Sequence, residues 1–347
     1  MEDRAMSRAL DTPPRISVCI ANYNGESMLR DCLNSVYAQS GDFRIEVLLH
    51  DDASTDGSVF LVRHEFPDVQ VIESRDNVGF CISNNRMAEA ARGHYLLLLN
   101  NDAVLRPGSL DALLHEACDT TIPAVLGLPQ YTLHDGNLVD RGYEFDLFMN
   151  PIPVFTTGVH EVATATGACL WIPREVWSAV GGFPPWFESI AEDIYLCQAA
   201  RLLGYPTRVL DAPGFDHWIG KNLGGGKVMD DKLKTTARRR ALSERNKTAV
   251  MLLCYPAWAL LALLPIHALL LGIEASFLWL AGSGRGKIKC IYGTILPGLW
   301  RHRKDISALR RSLHARQKQS GWRFMRRFHW LPHKLRMLLR HGAPEIG

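Results

Sequence analysis

None of the common nucleotide-binding signatures is present in these 347 residues. GxGxxG is missing, which removes the dinucleotide-binding fingerprint, and GxxxxGK(S/T) is missing, which argues against a P-loop NTPase. The eight cysteines form no CxxC pair and show no metal-like spacing. Cys19, Cys169 and Cys197 sit in apolar surroundings and read as small core residues kept reduced in a cytoplasmic compartment. The first residues, MEDRAMSRALDTPPR, contain no apolar h-region, so no secretory signal is expected. Internal repeats and low-complexity segments are also absent. Charged residues make up only 22% and hydrophobic residues 47%, which permits a packed core and argues against disorder.

What charge there is lies unevenly. Residues 285–347 hold 16 Lys/Arg against Asp305 and Glu345, a net charge of +14. The remainder has 23 basic and 34 acidic residues, a net charge of −11. An acidic body is thus followed by a basic tail.

The chain is organised around residues 95–105, YLLLLNNDAVL. The apolar run 95–99 predicts a strand buried on both faces of a parallel sheet. It stops at Asn100, Asn101 and Asp102. Asn and Asp are good turn formers, and a turn is the plain reading. Ligands of open α/β sheets, however, sit just outside the carboxyl ends of the strands. A carboxylate there can hold a divalent cation against phosphate oxygens.

The flanking sequence repeats this arrangement. Residues 16–21 (ISVCIA) predict a first strand, closed by Asn22, Tyr23, Asn24 and Gly25. Residues 27–38 have helical spacing, and 44–49 (RIEVLL) predict a second strand ending in the polar loop 50–58, HDDASTDGS. Residues 69–73 predict a short third strand before Asn77-Val78-Gly79-Phe80, and 83–91 a helix leading into Tyr95. The order β-α-β-α-β-α-β implies an α/β fold with a mostly parallel, doubly wound sheet. Further on, 165–172 predict a strand, 174–180 a short helix, 183–187 an aromatic, Pro-rich loop, and Glu192-Asp193 the start of a helix capped by Gly204. A strand at 207–210 precedes His217-Trp218, and the Gly-rich stretch to Gly226 reads as mobile.

These motifs, in this order and spacing, resemble the family-two glycosyltransferases, and in particular the group with bacterial rhamnosyltransferase-like enzymes. The resemblance covers roughly residues 14–250. It implies a GT-A fold, a nucleotide-diphospho-sugar donor, and a divalent cation, Mn or Mg. Asp51 then accepts from the nucleotide base, Asn22, Tyr23 and Asn24 pack against the nucleoside, and Asn77, Gly79 and Phe80 approach it closely. Asn100, Asn101 and Asp102 stand at the DxD-type motif, with an amide in place of its first acid. His217 matches the family's His after the last core strand and is the expected second metal ligand beside Asp102. Taken alone, a single His is more often an ordinary surface or core residue. Imidazole suits Mn more than Mg.

The resemblance also assigns the acidic pair. Two carboxylates at a helix start are good capping chemistry. In this family position Asp193 is the expected general base, with Glu192 as its fallback, and the expected outcome is single displacement with inversion. A third acid common in the family two positions on is here Tyr195. Trp186, Phe187 and Trp218, with Phe183, are expected to offer an apolar platform to an acceptor sugar.

Residues 249–273 carry no Asp, Glu, Lys or Arg, enough length to cross a bilayer, for which about 20 residues suffice. Arg238, Arg239, Arg240, Arg245 and Lys247 flank the run on one side and the basic tail on the other, which opposes a single crossing. Splitting at Pro265 gives two short arms, 249–264 and 266–281, and predicts an in-plane or re-entrant hairpin. The tail's Arg/Lys, interleaved with Trp300, Trp322, Phe324, Phe328 and Trp330, would rest on anionic lipid headgroups.

The expected organisation is therefore a leader (1–13), a catalytic domain (14–245), apolar membrane-associated helices (246–283) and a basic amphipathic tail (284–347). The expected place is the cytoplasmic face of the cell membrane, the expected work transfer to a glycan or polyprenyl-linked acceptor in surface polysaccharide synthesis. The rival is a membrane scaffold that binds sugar nucleotides without turnover. A nucleic-acid partner is not expected, because the tail carries no recognised nucleic-acid module.

Overall fold

The computed structural model describes residues 15–218, 225–229, 232–280, 282, 284–334, 336–337 and 345–346. The expected leader and residues 219–224 of the Gly-rich stretch lie outside them.

The parallel half of the sheet follows from its apolar runs. β1 (Ile16–Asn22), β2 (Ile45–Asp51), β3 (Gln70–Glu73) and β4 (Tyr95–Asn100) pair in parallel in the order β3-β2-β1-β4. Helices α1 (Glu26–Tyr37), α2 (Ser58–Glu65) and α3 (Phe80–Ala90) make the crossovers. In β4, Leu96 and Leu98 join the core on one face, Leu97 and Leu99 that on the other. Both faces are thus covered, which is why the run shows no polar alternation. The register sets Asn22 opposite Asp51 and Ala21 opposite Asn100, so three polar strand ends fall in one line.

Beyond Asn100 the chain leaves this pattern. β5 (Ala103–Leu105) departs from the main sheet, α4 (Ser109–Asp119) follows, and β6 (Val125–Gly127) re-enters it. The short strands β7 (Gln130–Thr132), β8 (Leu138–Asp140), β9 (Tyr143–Phe145), β10 (Pro151–Pro153) and β11 (His160–Glu161) precede β12 (Cys169–Pro173). After α5 (Arg174–Val180) and α6 (Glu192–Leu202) come β13 (Thr207–Val209) and β14 (Phe215–His217). The main sheet reads β11-β13-β6-β12-β4-β1-β2-β3, and β5-β14-β7-β8 form a second sheet. β12 runs antiparallel to both its neighbours. It is reached through an irregular excursion rather than a helical crossover, so nothing enforces a parallel approach. The sheet is mixed, with its parallel half at β1–β4.

Two expectations about the C-terminal third change. α7 (Ala237–Cys254) runs unbroken across position 245, and Ala249, Val250, Leu253 and Cys254 are buried in the hydrophobic core shared with β4 and β12. The apolar stretch breaks at Tyr255-Pro256, not at Pro265: α8 (Ala257–Leu280) is one 24-residue helix with Pro265 inside it. Tyr255 is extended ahead of Pro256, as residues before proline prefer. Pro265 lies on the exposed face of α8. In place of the expected hairpin about Pro265, the structure has a single helix.

The second change concerns the basic flank. Arg240 pairs with Glu274 of α8, Arg245 with Glu188, and buried Lys247 with buried Glu244 at 3.2 Å. Lys334 of the tail bonds both Glu244 (2.7 Å) and Glu274 (2.8 Å). Burial alone would raise the Glu244 carboxyl, but Lys247, Lys334 and Arg240 hold it well below the usual range. These cations are internal partners rather than a solvated flank. The tail folds back as α9 (Arg285–Tyr292), α10 (Ile295–Arg301), α11 (Arg303–Ala315) and α12 (Gly321–Met325). Arg327 there pairs with Glu144 and Glu161 of the body.

Candidate active site

A cleft of about 1090 Å³ opens at the carboxyl ends of β1 and β4. One wall comes from the loops after β1, β2 and β3. Asn22 is buried and joins three strand ends: its Oδ1 accepts from Asn101 Nδ2 (2.7 Å), and its Nδ2 donates to Asp51 Oδ1 (3.0 Å). Asp51 Oδ2 also accepts from the Ser54 amide at 3.0 Å. Asp52, not Asp51, lines the cleft. Its carboxylate accepts from the Val78 and Gly79 amides at 2.6 and 2.8 Å, fixing the loop that carries Asn77. Gly79 has φ +86°, a conformation open chiefly to glycine. Tyr23 is half exposed, and Asn24, Phe80 and Asn100 complete this wall.

At the centre, β14 pairs antiparallel with β5 and sets His217 opposite Ala103. His217 Nε2 therefore comes within 3.0 Å of Asp102 Oδ1, while its Nδ1 lies 3.2 Å from Gln130 Nε2. Among the described residues, no cluster of three His, Cys, Asp or Glu could hold a metal by itself. Asp102 and His217 fit a cation as two ligands. One carboxylate and one imidazole converge at a strand end, and the remaining positions are left for phosphate oxygens and water.

The opposite wall holds the acidic pair at the start of α6. Asp193 Oδ2 accepts from the Gly167 amide (3.0 Å) and Oδ1 from the Ile194 amide (2.7 Å). Glu192 is buried, and its Oε2 has no partner. Burial first, and Asp193 second, push the Glu192 carboxyl up to about 8. Burial also raises Asp193, opposed chiefly by its backbone donors. The two carboxylates thus sit in unlike settings: Glu192 Oε2 is buried without a partner, and Asp193 is oriented by two backbone donors. Arg239 of α7 lies close enough to favour the charged form of both.

Glu192 should therefore limit stability in alkali. Its folded value lies above its usual 4.5, so the folded chain binds the proton more tightly. The penalty is absent below pH 4.5 and grows as pH rises towards 8. Glu192→Gln should raise Tm by about 5 °C at pH 8 and by only about 1–2 °C at pH 5. Calorimetry at both values checks this, and an equal gain at each would mean that Glu192 ionises normally.

The acceptor aromatics are not gathered as expected. Phe187 is fully buried, and Trp186 stacks on His302 with ring centroids 5.1 Å apart. Both serve packing, because the Pro-rich loop turns them away from the cleft. Trp218 remains 41% exposed and donates its backbone N–H to Asp102 O. Conversely, Tyr143 and the α7 residues Arg238, Arg239, Ser243 and Lys247 line the cleft without having been singled out for it. The basic run 238–240 was visible, but its partners lie far away in sequence.

Comparison with known proteins agrees with this geometry. Residues 17–177 match the model of Glycosyl transferase family 2. The chain is 30% identical over 237 residues to an O-antigen biosynthesis protein of Myxococcus xanthus, covering 59% of this chain and 19% of that one. It is 27% identical over 152 residues to a hyaluronan synthase of Pasteurella multocida, covering 43% and 15% respectively. The chain thus spans less than a fifth of the length of these two relatives. In fold it resembles GalNAc-T7, crystallised with UDP, GalNAc and Mn2+, with a TM-score of 0.57 over 72% of this chain and 49% of that one at 16% identity. In its GT-A-like fold and in residues 17–177, just under half of its length, the chain resembles glycosyltransferase family 2.

Proposed function

We propose that the chain is an inverting glycosyltransferase that uses a nucleotide-diphospho-sugar and serves surface polysaccharide synthesis. One observation carries this reading. Two adjacent carboxylates in unlike environments face, across one cleft, the strand-end loops that suit a nucleotide. Asn22, Tyr23, Asn24 and Asn77 would contact the nucleoside, with Asp51 and Asp52 shaping their loops. Asn100 would meet the diphosphate, and Asp102 and His217 would hold Mn or Mg beside it. A bound cation would neutralise charge on the departing diphosphate. Asp193 takes the proton of an acceptor hydroxyl as its oxygen bonds to the anomeric carbon. The bond from that carbon to the diphosphate oxygen breaks on the opposite face, and the nucleoside diphosphate leaves. Arg239 favours the ionised form of Asp193 beforehand. A panel of UDP-, GDP- and dTDP-sugars, with and without Mn2+, tests the reading by thermal shift and nucleotide release. One base should stabilise the fold and turn over; no response to any donor would contradict the reading.

The acceptor is proposed to be lipid-linked or a growing glycan, met at the cytoplasmic face of the membrane. α8 supports this. Among the described residues it is the one helix long and apolar enough to cross a membrane. It lies along α7, where Thr248 and His267 are hydrogen-bonded at 2.9 Å and Arg240 pairs with Glu274. Leu261, Ile266, Leu269, Ile273 and Leu280 are exposed on its outward side, and Trp258 stacks on exposed Trp322 of the tail. A helix whose polar residues bind the catalytic body along its length suits an in-plane position with its apolar face in lipid. The chain should co-float with vesicles rich in phosphatidylglycerol. A Leu269→Asp/Ile273→Asp double variant should bind at least about tenfold more weakly, having lost two apolar anchors. Unchanged flotation would reassign this face.

A further inference from the structure

The acidic pair is held by an unusual piece of backbone. The bridge from Phe187 to α6 contains Glu188, Ile190 and Ala191 with φ of +62°, +69° and +67°. None is glycine, and Ile190 is β-branched, for which the left-handed region is a genuine outlier. Such conformations persist only where the surroundings over-determine them, and they cluster at functional sites. Glu188 through Ala191 line the cleft, directly ahead of Glu192 and Asp193.

The surroundings here are two consecutive residues of α7. Asn246 is fully buried, and the two N–H groups of its Nδ2 are shared among the carbonyl oxygens of Phe187 (2.9 Å), Ser189 (3.1 Å) and Ile190 (2.8 Å). Arg245 Nη2 donates to Trp186 O (2.9 Å) and more distantly to Phe187 O (3.3 Å), while its Nη1 meets the Glu188 carboxylate at 3.1 Å. Arg245 Nε also donates to Asn246 Oδ1 at 3.0 Å. That contact fixes which way the amide points: its oxygen is taken by Arg245, so its NH2 faces the bridge. The other side of the bridge is tied to the donor wall. Glu188 O accepts from the Cys81 amide at 3.1 Å, and a Cβ on Gly79 would stand 3.4 Å from that oxygen.

We propose that Arg245 and Asn246 are positioning residues for catalysis, clamping the bridge 188–191 in its left-handed conformation and thereby setting where Glu192 and Asp193 stand in the cleft. This rests on the reading of Asp193 as the base. α7 thus contributes both a cation beside the acidic pair, Arg239, and the clamp that orients it. A residue that merely filled space would not need to spend both N–H groups on carbonyls of the bridge or be oriented by its neighbour. Helix α7 also carries Arg240 and Thr248, which bind α8, and Glu244, which binds Lys334 of the tail, so it joins the outward-facing helices to the acidic pair.

The test uses the full chain with Asn246→Ala and, as the milder variant, Arg245→Lys, which keeps the charge but loses the forked contact. Hydrogen exchange by mass spectrometry reads the bridge without any need for turnover. In Asn246→Ala, amides of 188–194 should exchange at least about tenfold faster, with β1, β2 and β4 unchanged. Turnover is then expressed per nucleotide-binding site, counted calorimetrically with the nucleoside diphosphate that the donor screen identifies. It should fall about 30–100-fold with donor KM within about threefold, since a misplacement of the order of 1 Å can cost that much. Arg245→Lys should be intermediate in both readouts. Unchanged exchange at 188–194, exchange raised equally throughout the chain, or unaltered turnover per site would each overturn the clamp. If the parent chain turned over no donor, the reading of the base would fall, while exchange in the bridge would still decide the clamp.

Discussion

Asp193→Asn lowers transfer by about 10²–10⁴, the usual loss when a general base is removed, and leaves nucleotide affinity nearly intact. Asparagine keeps the size of the side chain, and its amide oxygen can still accept from Gly167. What it cannot do is take a proton. The proposed nucleoside site lies in the loops after β1, β2 and β3, on the opposite wall, so its binding should not follow. The neighbouring Glu192 supplies an internal control. If Glu192 were the base, burial would still hold its carboxyl above the usual range once the Asp193 charge is gone, and the variant would recover turnover as pH rises. A flat, low profile from pH 6 to 9 supports Asp193. Near-parent turnover, or recovery as pH rises, transfers the role to Glu192.

Asp102→Ala and His217→Ala each lower kcat/KM by about 10²–10³ and weaken the response to Mn2+, because stabilisation of phosphate charge is worth several kcal/mol. The two side chains converge from the start of β5 and from β14, and among the described residues no third His, Cys, Asp or Glu joins them. Loss of either leaves a cation held by one residue and the diphosphate. The effects should therefore be far from additive, since the residues act on one ion. Titration of activity with Mn2+ for the parent, both single variants and the double variant is the check. If His217→Ala kept the parent's Mn2+ dependence, His217 would be serving the Asp102–Gln130 hydrogen-bond chain alone.

The parallel half of the sheet was legible because β1, β2 and β4 are buried on both faces and their runs end in polar residues. Local signals sufficed there. The mixed half was not legible: β12 joins β4 after an irregular excursion, and no residue in 165–172 encodes the direction of pairing. Asp102 was legible as the polar end of the β4 run, but its pairing with His217 was expected only through the resemblance, since the β5–β14 contact that joins them spans 115 residues of chain. The basic run 238–247 was misread for a related reason. Next to an apolar stretch, Arg and Lys look like a membrane flank. Here their partners Glu188, Glu192, Glu244 and Glu274 lie on other elements or other turns, and burial, not solvent, determines their role. Phe187 was misplaced because an aromatic in a Pro-rich loop has the same appearance whether it points into a cleft or into the core. Pro265 was taken as a break although Pro256, after extended Tyr255, is the one that ends a helix.

The most direct test of single displacement in this cleft is the configuration of the new bond. With the donor identified, proton NMR of the first product formed reads the anomeric configuration before any mutarotation or further transfer. The account predicts a product inverted relative to the donor sugar, because Asp193 activates the acceptor on the face opposite the diphosphate. A product with retained configuration would contradict it.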